Sequence, residues 1–169
     1  MPTAYVNNQQ IEFAAHERMN CIQAAQRVNI EIPTYCWHPA MTVVASCRMC
    51  LVEIGLKKPD GSVAMQPRVI PGCQTLVTDG MVIVSDSEKA KAAQKATLEY
   101  LLLNHPLDCP TCDKAGECGL QDYSYRYGRG YSRLAENKLL RPDKDYIGDQ
   151  ITLFTDRCIM CSRCVRFTR

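Results

Sequence analysis

Short runs of hydrophobic residues alternate with polar turns over the first half of the chain, a pattern typical of a small mixed α/β domain. Strands are predicted at Ala4–Val6 and Ile11–Ala14, on either side of the polar sequence Asn-Asn-Gln-Gln. Another strand is expected at Cys50–Ile54, where hydrophobic and polar side chains alternate. The Asp-Gly pairs in Pro59–Ser62 and at Asp79–Gly80 tolerate positive φ, so each predicts a hairpin turn.

Two helices are predicted from apolar residues spaced three and four positions apart. The first extends from Asn20 to Val28, and Asn20 is a suitable N-cap residue. The second begins at a capping box formed by Ser85 and Glu88 and continues to about residue 104. Beyond it Pro, Gly, Asp and Tyr are frequent, which indicates loops with one short helix near Gly119–Tyr125.

Composition changes this picture mainly through cysteine. The chain has 169 residues, a net charge of +2 and 22% charged residues, so it indicates neither a nucleic-acid surface nor a polybasic membrane anchor. No hydrophobic run approaches the roughly 20 residues of a transmembrane helix, and the N-terminus lacks a signal-peptide pattern. We therefore expect a cytosolic chain with reduced thiols. Its 11 cysteines, an odd number, do not suggest a disulfide framework.

The first cysteine set consists of Cys36, Cys47, Cys50 and Cys73. A C-x2-C loop with one cysteine before it and one well after it is the general layout of a 2Fe–2S site. The two-residue spacer allows both thiolates to reach one metal centre when the loop is rigid. A four-cysteine zinc site uses the same C-x2-C element, so the spacing alone leaves zinc open as an alternative.

The second set combines a histidine with three cysteines: His105, Cys109, Cys112 and Cys118. His105 lies at the end of the second predicted helix, and two prolines stiffen the loop that carries the first two cysteines. A histidine at a helix C-terminus often only complements the helix dipole, but three cysteines within the next thirteen residues favour a metal site. One His and three Cys hold either zinc or a 4Fe–4S cluster, and the spacing does not decide between them.

The third set, Cys158, Cys161 and Cys164, has the spacing C-x2-C-x2-C. This spacing is typical of three corners of a 4Fe–4S cluster, and zinc sites rarely take three ligands from so short a run. The remaining cysteine, Cys21, is expected in the core on the apolar face of the first helix, so the fourth ligand is expected outside the chain. The chain also lacks a P-loop and a dinucleotide fingerprint, and we expect no NADH or flavin site in it.

Three stretches of the sequence resemble the large iron–sulfur subunit of respiratory NADH–quinone oxidoreductase (complex I). The first combines Cys-Trp-His-Pro at Cys36 with Ser-Cys-Arg-Met-Cys-Leu-Val-Glu around Cys47 and Pro-Gly-Cys at Cys73. The second is Asn-His-Pro-Leu-Asp-Cys-Pro-Thr-Cys-Asp-Lys-Ala-Gly-Glu-Cys-Gly-Leu-Gln-Asp from Asn104, and the third is Asp-Arg-Cys-Ile-Met-Cys-Ser-Arg-Cys-Val-Arg-Phe from Asp156. They stand in the family's order and cover essentially the whole chain.

The resemblance implies an α+β architecture in three parts. Residues 1–84 would form a β-grasp, 2Fe–2S ferredoxin-like domain, and residues 85–130 a helical and loop segment that binds a His–Cys 4Fe–4S cluster. Residues 131–169 would be a linker and the start of a 4Fe–4S ferredoxin-like domain, so the chain is expected to be an N-terminal fragment of a longer subunit. The implied ligands are Cys36, Cys47, Cys50 and Cys73 for the 2Fe–2S cluster; His105, Cys109, Cys112 and Cys118 for the first 4Fe–4S cluster; and Cys158, Cys161 and Cys164, with a downstream cysteine, for a second one.

The function that the resemblance implies is electron relay, with no catalytic residue in the chain itself. Electrons would pass from a flavin-bearing, NADH-binding partner subunit toward the quinone-side iron–sulfur subunits of the complex. The location would be peripheral, on the cytoplasmic side of a bacterial inner membrane or the matrix side of a mitochondrial one. NAD-reducing hydrogenases and NAD-linked formate dehydrogenases have a similar layout, but the sequence Gln-Asp-Tyr-Ser-Tyr-Arg-Tyr-Gly from Gln121 favours complex I. A structural zinc-binding module is the remaining hypothesis.

Overall fold

The computed structural model describes residues 1–140 and 144–168. They form two compact units, one made of Met1–Gln94 with Ser162–Arg169 and the other of Lys95–Cys161. Within the described part of the chain, no helix has the length and apolar character needed to cross a bilayer.

The first unit contains a six-stranded mixed sheet. Its strands are β1 (Thr3–Val6), β2 (Gln9–Glu12), β3 (Leu51–Lys57), β4 (Val63–Met65), β5 (Ile70–Pro71) and β6 (Met81–Val84). The main path runs in the order β2-β1-β6-β3-β4, and β5 pairs with β3 outside that path. β1 and β6 are parallel, whereas the other pairs are antiparallel.

The first predicted hairpin is confirmed, although its second strand begins earlier than expected. Asn7 and Asn8 adopt φ values of 43° and 69°, and they alone form the turn between Val6 and Gln9. Two residues with positive φ match the twist of paired strands, and Asn tolerates this conformation better than most residues. The second strand is therefore Gln9–Glu12, two residues before the position that hydrophobicity indicated.

The predicted turn at Pro59–Ser62 is confirmed as the β3–β4 connection, with Gly61 at a φ of 84°. The hairpin predicted at Asp79–Gly80 is wrong. The residues before that turn form only an isolated bridge between Leu76 and Asn20, and β6 pairs with β1 and β3. Thr3 explains the difference, because its amide binds Asp79 Oδ1 at 2.8 Å and its carbonyl accepts from Gly80, also at 2.8 Å. The turn is thus anchored to β1.

A helix packs against this sheet. α1 (Cys21–Arg27) begins at the predicted N-cap, where Asn20 and Gln23 exchange side-chain to backbone hydrogen bonds of 3.0 Å in a capping box. Its buried face joins the core formed with the inward side chains of β1, β3 and β6. Cys21 belongs to that face and is fully buried, as the spacing predicted. The buried residues of the helix are Cys21, Ile22, Ala24 and Ala25.

The second helix, α2 (Glu88–Leu102), is confirmed, but the predicted capping box is wrong. Ser87, not Ser85, supplies the cap, since its hydroxyl accepts a hydrogen bond of 3.1 Å from the amide of Ala90. The Ser85 hydroxyl accepts instead from the side chain of Asn7 at 2.9 Å, which ties the start of the helix to the β1–β2 turn. The fully buried positions of α2 are Ala90, Gln94 and Leu98.

The second unit also contains α3 (Gly119–Tyr127), close to the short helix that the sequence predicts. It further contains an antiparallel hairpin of β7 (Lys144–Tyr146) and β8 (Thr152–Phe154), which the hydrophobic pattern did not indicate. Most side chains described in this hairpin are exposed, so alternation between buried and polar positions is weak there. A last short helix, α4 (Arg163–Phe167), belongs to the first unit.

Candidate metal centres

The four cysteines of the first set come from three separate parts of the first unit. Cys36 lies in the irregular segment after α1, Cys47 and Cys50 lie just before β3, and Cys73 follows β5. Cys36, Cys50 and Cys73 are each 1% exposed, and Cys47 is half-buried. A hydrogen bond of 2.8 Å from the amide of Gly72 to the carbonyl of Cys50 holds the last two parts together. The fold therefore supplies a buried or half-buried position for each predicted ligand.

Interactions between their sulfur atoms connect these side chains into one group. The interactions with Cys47 and Cys73 lower the pKa of Cys36, and the interaction with Cys73 lowers the pKa of Cys50. The same interactions, together with burial, raise the pKa of Cys47 and of Cys73. The structure thus brings all four predicted ligands together, with two of them favoured as thiolates. We call them the four-thiol group.

Backbone amides are directed at these sulfurs. The amide of Cys36 lies 3.5 Å from the sulfur of Cys47, and amides of Tyr35 and Met49 also favour a thiolate there. Ala45 and Arg48, on either side of Cys47, have φ values of 51° and 59°. Alternating conformations of this kind turn successive amides toward one concave surface, which attracts negative charge. The loop is therefore arranged to stabilise sulfur ligands that carry negative charge.

Cys21 lies next to the four-thiol group without joining it. Its thiol donates to the carbonyl of Thr75 at 3.5 Å. Burial, and then the charge of Cys50, raise its pKa to about 12. The Cys21 thiol is engaged by a backbone carbonyl. The prediction of a core role for Cys21 agrees with this environment.

A 2Fe–2S cluster fits the four-thiol group. Such a cluster takes two thiolates on each iron, and it depends on hydrogen bonds to sulfur and on exclusion of solvent. The sulfur interactions link Cys36 with Cys47 and Cys73, and Cys73 with Cys50, and the three parts of the chain that carry them are buried or half-buried. The donor set is all thiol, with no carboxylate among the residues that shift these pKa values.

The second predicted set lines a single cavity within the second unit. His105 follows the end of α2, Cys109 begins a short 3₁₀ turn, and Cys118 is the residue before α3. Cys109 is exposed, whereas Cys112 and Cys118 are half-buried. The cavity is lined by His105, Pro106, Asp108, Cys109, Cys112, Ala115, Cys118, Gln121 and Arg157.

The environment of His105 favours the neutral imidazole. Burial lowers its pKa, and the neighbouring ammonium of Lys138 lowers it further, against the opposing effect of two aspartates. Lys138 is held at the end of α2, where it donates to the carbonyls of Leu102 and Leu103 at 2.7 and 3.0 Å. Because a histidine coordinates metal through a neutral nitrogen, this shift keeps His105 competent as a ligand at lower pH.

Arg157 adds a positive charge to the same cavity. Its guanidinium binds the carboxylate of Asp108 at 2.9 Å and lies 4.4 Å from the centre of the Phe154 ring. The bond to Asp108 raises the pKa of Arg157 above its ordinary value, so it remains charged. Sequence reasoning missed both residues. Their position beside candidate ligands, Asp108 before Cys109 and Arg157 before Cys158, was the available signal.

A 4Fe–4S cluster fits this second set because the cluster is bound at its four corners, by ligands that line a cavity. One imidazole and three thiols surround the cavity here, with a guanidinium that offsets negative charge. Among the described residues, no group of three or more His, Cys, Asp or Glu side chains is arranged to hold a single metal ion.

The third set has members in both units. Cys158 and Cys161 belong to the second unit, and Cys164 lies on α4 in the first. Cys158 and Cys164 are exposed. The amide of Met160 donates to the sulfur of Cys158 at 3.4 Å, and Met160 and Ser162 have φ values of 54° and 57°. Cys161 thus has neighbours of positive φ, as Cys47 has in Arg48.

Two family models match the chain. The model described as "2Fe-2S iron-sulfur cluster binding domain" matches residues 3–88, which is half of the chain and includes the four-thiol group. The model described as "NADH-ubiquinone oxidoreductase-G iron-sulfur binding region" matches residues 94–133, which include the histidine and cysteines of the second set. Iron–sulfur binding of both kinds is therefore a property of the matched families.

Similar proteins include the G-type subunit of the NADH-quinone oxidoreductase of Rickettsia conorii, which is 42% identical over 156 residues, covering 92% of this chain and 22% of the relative. The corresponding protein of Rickettsia typhi is 46% identical over 148 residues, covering 87% and 20%. The chain thus spans about a fifth of the length of these relatives.

Among solved structures, the crystal structure of NAD+-reducing [NiFe]-hydrogenase in the H2-reduced state is similar, with a TM-score of 0.72 and 27% identity. The similarity covers 98% of this chain and 64% of that one. The chain belongs to the family of 2Fe–2S iron–sulfur cluster binding domains, and over most of its length it is homologous to the G-type subunit of NADH-quinone oxidoreductase.

Proposed function

We propose that this chain transfers electrons in an NADH–quinone oxidoreductase, from a flavin-bearing, NADH-binding subunit toward quinone-side iron–sulfur subunits. The observation that carries the proposal is the four-thiol group, where the four predicted cysteine ligands come together in the structure. The family whose model matches this part of the chain binds 2Fe–2S clusters. Homologues named as the G-type subunit of NADH-quinone oxidoreductase support the choice of complex. The subunit would be peripheral, on the cytoplasmic side of a bacterial inner membrane or the matrix side of a mitochondrial one.

The proposed architecture assigns one cluster to each set of ligands. The first unit would be a β-grasp ferredoxin-like domain, which is supported by the β2-β1-β6-β3-β4 sheet order with parallel β1 and β6. The third set would bind a second 4Fe–4S cluster at the start of a ferredoxin-like domain, with one ligand from outside the chain. The proposed ligands are Cys36, Cys47, Cys50 and Cys73 for 2Fe–2S, and His105, Cys109, Cys112 and Cys118 for the first 4Fe–4S cluster.

The chain's own residues would control the environment of these centres. Iron–sulfur clusters supply one-electron redox chemistry when they are bound. The buried loops around Cys36 and Cys73 exclude water, and the amides near Cys47 stabilise thiolate charge. His105 provides a neutral donor where a thiolate would add negative charge, and Arg157 holds a positive charge at the same cavity. Both features favour the reduced state of a bound cluster.

A second candidate is the equivalent electron-transfer role in an NAD-reducing hydrogenase. The similarity to the hydrogenase structure over 98% of this chain favours it, because the fold is shared at a TM-score of 0.72. The higher identity to the quinone-reductase relatives, 42–46% against 27%, is the reason for preferring the quinone-reducing complex. The two candidates agree on the clusters and differ in the final electron acceptor.

Two measurements test the proposal. In the first, the anaerobically prepared chain is mixed with NADH, with and without a flavoprotein subunit that oxidises NADH, and bleaching of its visible absorbance is followed. Reduction only in the presence of the flavoprotein is expected, and no reduction under either condition would contradict electron relay. In the second, an affinity-tagged chain is purified from its native cells, and the preparation is assayed for NADH–quinone and for hydrogen–NAD activity. Hydrogen–NAD activity alone would replace the quinone-reducing complex by the second candidate.

A further inference from the structure

Two arginines of α4 reach the loop that begins at the first candidate ligand. The guanidinium of Arg166 donates to the carbonyl oxygen of Cys36 and to that of Thr42, the latter at 2.5 Å. Arg163 donates to the carbonyl of Trp37 at 2.7 Å. All of these residues belong to the first unit. Residues more than 120 positions apart in sequence are thus joined at the backbone of a predicted cluster ligand.

The guanidinium of Arg166 donates hydrogen bonds to three different groups. Nη2 binds the Cys36 carbonyl, Nη1 binds the Thr42 carbonyl, and Nε donates to the hydroxyl of Ser162 at 3.1 Å. Ser162 is the N-cap residue of α4, so the side chain is oriented by its own helix. Only arginine presents several donors in a fixed planar fork; the ammonium of a lysine cannot make these three bonds together.

The loop between Cys36 and Thr42 has few internal bonds to hold its shape. It forms no helix or strand, and its own backbone contributes one hydrogen bond of 3.1 Å, from Met41 to His38. Backbone carbonyls that are withdrawn from water require partners, and the two arginines supply them for Cys36 and Trp37. Arg166 also bonds the exposed carbonyl of Thr42. Arg166 closes the loop, because it binds the carbonyls at both ends.

The charge of Arg166 acts in the same place. Its guanidinium carries a positive charge and is bonded to the backbone of Cys36, a predicted ligand. A 2Fe–2S cluster bound by four thiolates is anionic and becomes more so on reduction. A fixed positive charge near it therefore stabilises the reduced form more than the oxidised form.

We propose that Arg166 is a positioning residue for the 2Fe–2S centre: it fixes the Cys36–Thr42 loop by its three-way hydrogen bonding and holds a positive charge beside the ligand Cys36. This rests on the proposed function, since it assumes that the four-thiol group binds the cluster. Arg163 is an auxiliary contact to the same loop. The position of Arg166 two residues after Cys164 gave no sign of this role in the sequence.

The test compares Arg166→Gln and Arg166→Lys with the native chain by electron paramagnetic resonance during a potentiometric titration. Arg166→Gln removes the charge and the fork, and we expect the ratio of reduced to oxidised 2Fe–2S centres at the native midpoint to fall roughly tenfold, a shift of about 59 mV for one electron. Arg166→Lys keeps the charge, so its midpoint should move less, while its spectrum broadens because the loop is no longer fixed.

Arg27→Gln is the matched control. Arg27 also pairs with a side chain, Glu17, and with a carbonyl, that of Glu12, in the same unit, but these contacts involve no predicted ligand. Equal midpoints and spectra for Arg166→Gln and Arg27→Gln would overturn the inference. If Arg166→Gln does not fold, as judged by circular dichroism, the decision rests on Arg166→Lys, and a native spectrum in that variant would overturn it. Absence of any 2Fe–2S signal in the native chain would instead refute the proposed function.

Discussion

The side-chain amide of Asn20 donates to the carbonyl oxygen of Cys73 at 3.0 Å, across 53 positions of sequence. The same side chain accepts from the amide of Gln23 and so caps α1. Asn20 is 6% exposed; its contact to Cys73 is buried, and its contact to Gln23 is partly buried. One residue thus fixes both the start of α1 and the backbone of a candidate cluster ligand.

Asn20 should therefore affect both stability and cluster binding. Asn20→Ala removes a helix cap, worth about 1 kcal/mol, and leaves the buried carbonyl of Cys73 without its partner, at a cost of about 1–3 kcal/mol. Asn20→Ser keeps a capping hydroxyl but is too short to reach Cys73. We expect both variants to lose 2Fe–2S content, with Asn20→Ala less stable by about 1 kcal/mol in chemical denaturation.

Gln23→Ala is the control for this pair, since it weakens the capping box and leaves the bond to Cys73 intact. It should lose some stability and retain the cluster. Equal iron contents in all three variants would show that the contact between Asn20 and Cys73 is irrelevant to the site.

Cys21 and Cys73 should respond in opposite ways to replacement by alanine. Cys73→Ala removes a member of the four-thiol group, and the 2Fe–2S signal should disappear. Cys21→Ala removes a buried thiol that donates to the carbonyl of Thr75, so the signal should persist and stability should fall by about 1 kcal/mol for one lost buried group. Iron analysis and visible absorbance of the two purified variants measure this difference. Loss of the 2Fe–2S signal in Cys21→Ala would contradict the ligand assignment.

Lys138 should set the pH range over which the second centre assembles. A protonated imidazole cannot bind iron, and burial with Lys138 lowers the pKa of His105. Replacing Lys138 by methionine removes the second cause, so the pKa of His105 moves back toward its ordinary value and the imidazole is protonated at a higher pH than in the native chain. The 4Fe–4S yield of Lys138→Met should therefore start to fall at a higher pH than that of the native chain as the solution is acidified.

Lys138→Arg controls for the hydrogen bonds that Lys138 makes to the end of α2, because arginine retains both the charge and the donors. Its pH profile should match that of the native chain. Parallel profiles for Lys138→Met and Lys138→Arg would mean that the charge has no influence on His105.

Gly72 should not tolerate a side chain. A Cβ at this position would lie 3.2 Å from the carbonyl oxygen of Cys50 and 3.3 Å from Cys21 Cβ, both tighter than ordinary contact. We expect Gly72→Ala to cost about 1–3 kcal/mol in unfolding free energy by overpacking. Gly130→Ala, where a Cβ would meet nothing within 4 Å, should stay within about 0.5 kcal/mol of the native chain. A neutral Gly72→Ala would show that the two loops can separate without loss of stability.

Local signals in the sequence explain why much of the first unit could be predicted. The Asn20 cap, the Asp-Gly turn at residues 60–61 and the C-x2-C loop each act over a few residues, and all three form as expected. Cys36 and Cys73 could be assigned to the same set because one cysteine before a C-x2-C loop and one well after it is the general layout of a 2Fe–2S site. The contacts between these two cysteines, however, depend on how the sheet folds.

Contacts between distant segments could not be predicted from the same signals. The parallel pairing of β6 with β1 depends on Thr3 anchoring the turn at residues 79–80, and a local hydrophobic pattern does not encode it. Arg166 reaches Cys36 across 130 positions, and its sequence neighbourhood indicated only a third cysteine set. The hairpin of β7 and β8 was missed because its exposed strands lack a buried face.

The most direct test of the account is low-temperature electron paramagnetic resonance of the anaerobically purified, dithionite-reduced chain, with iron, sulfide and zinc determined on the same sample. We expect one 2Fe–2S and at least one 4Fe–4S signal, with Cys73→Ala removing only the former and His105→Ala altering only the latter. A sample without these signals that contains stoichiometric zinc and little iron would contradict the electron-transfer account and establish a structural metal module.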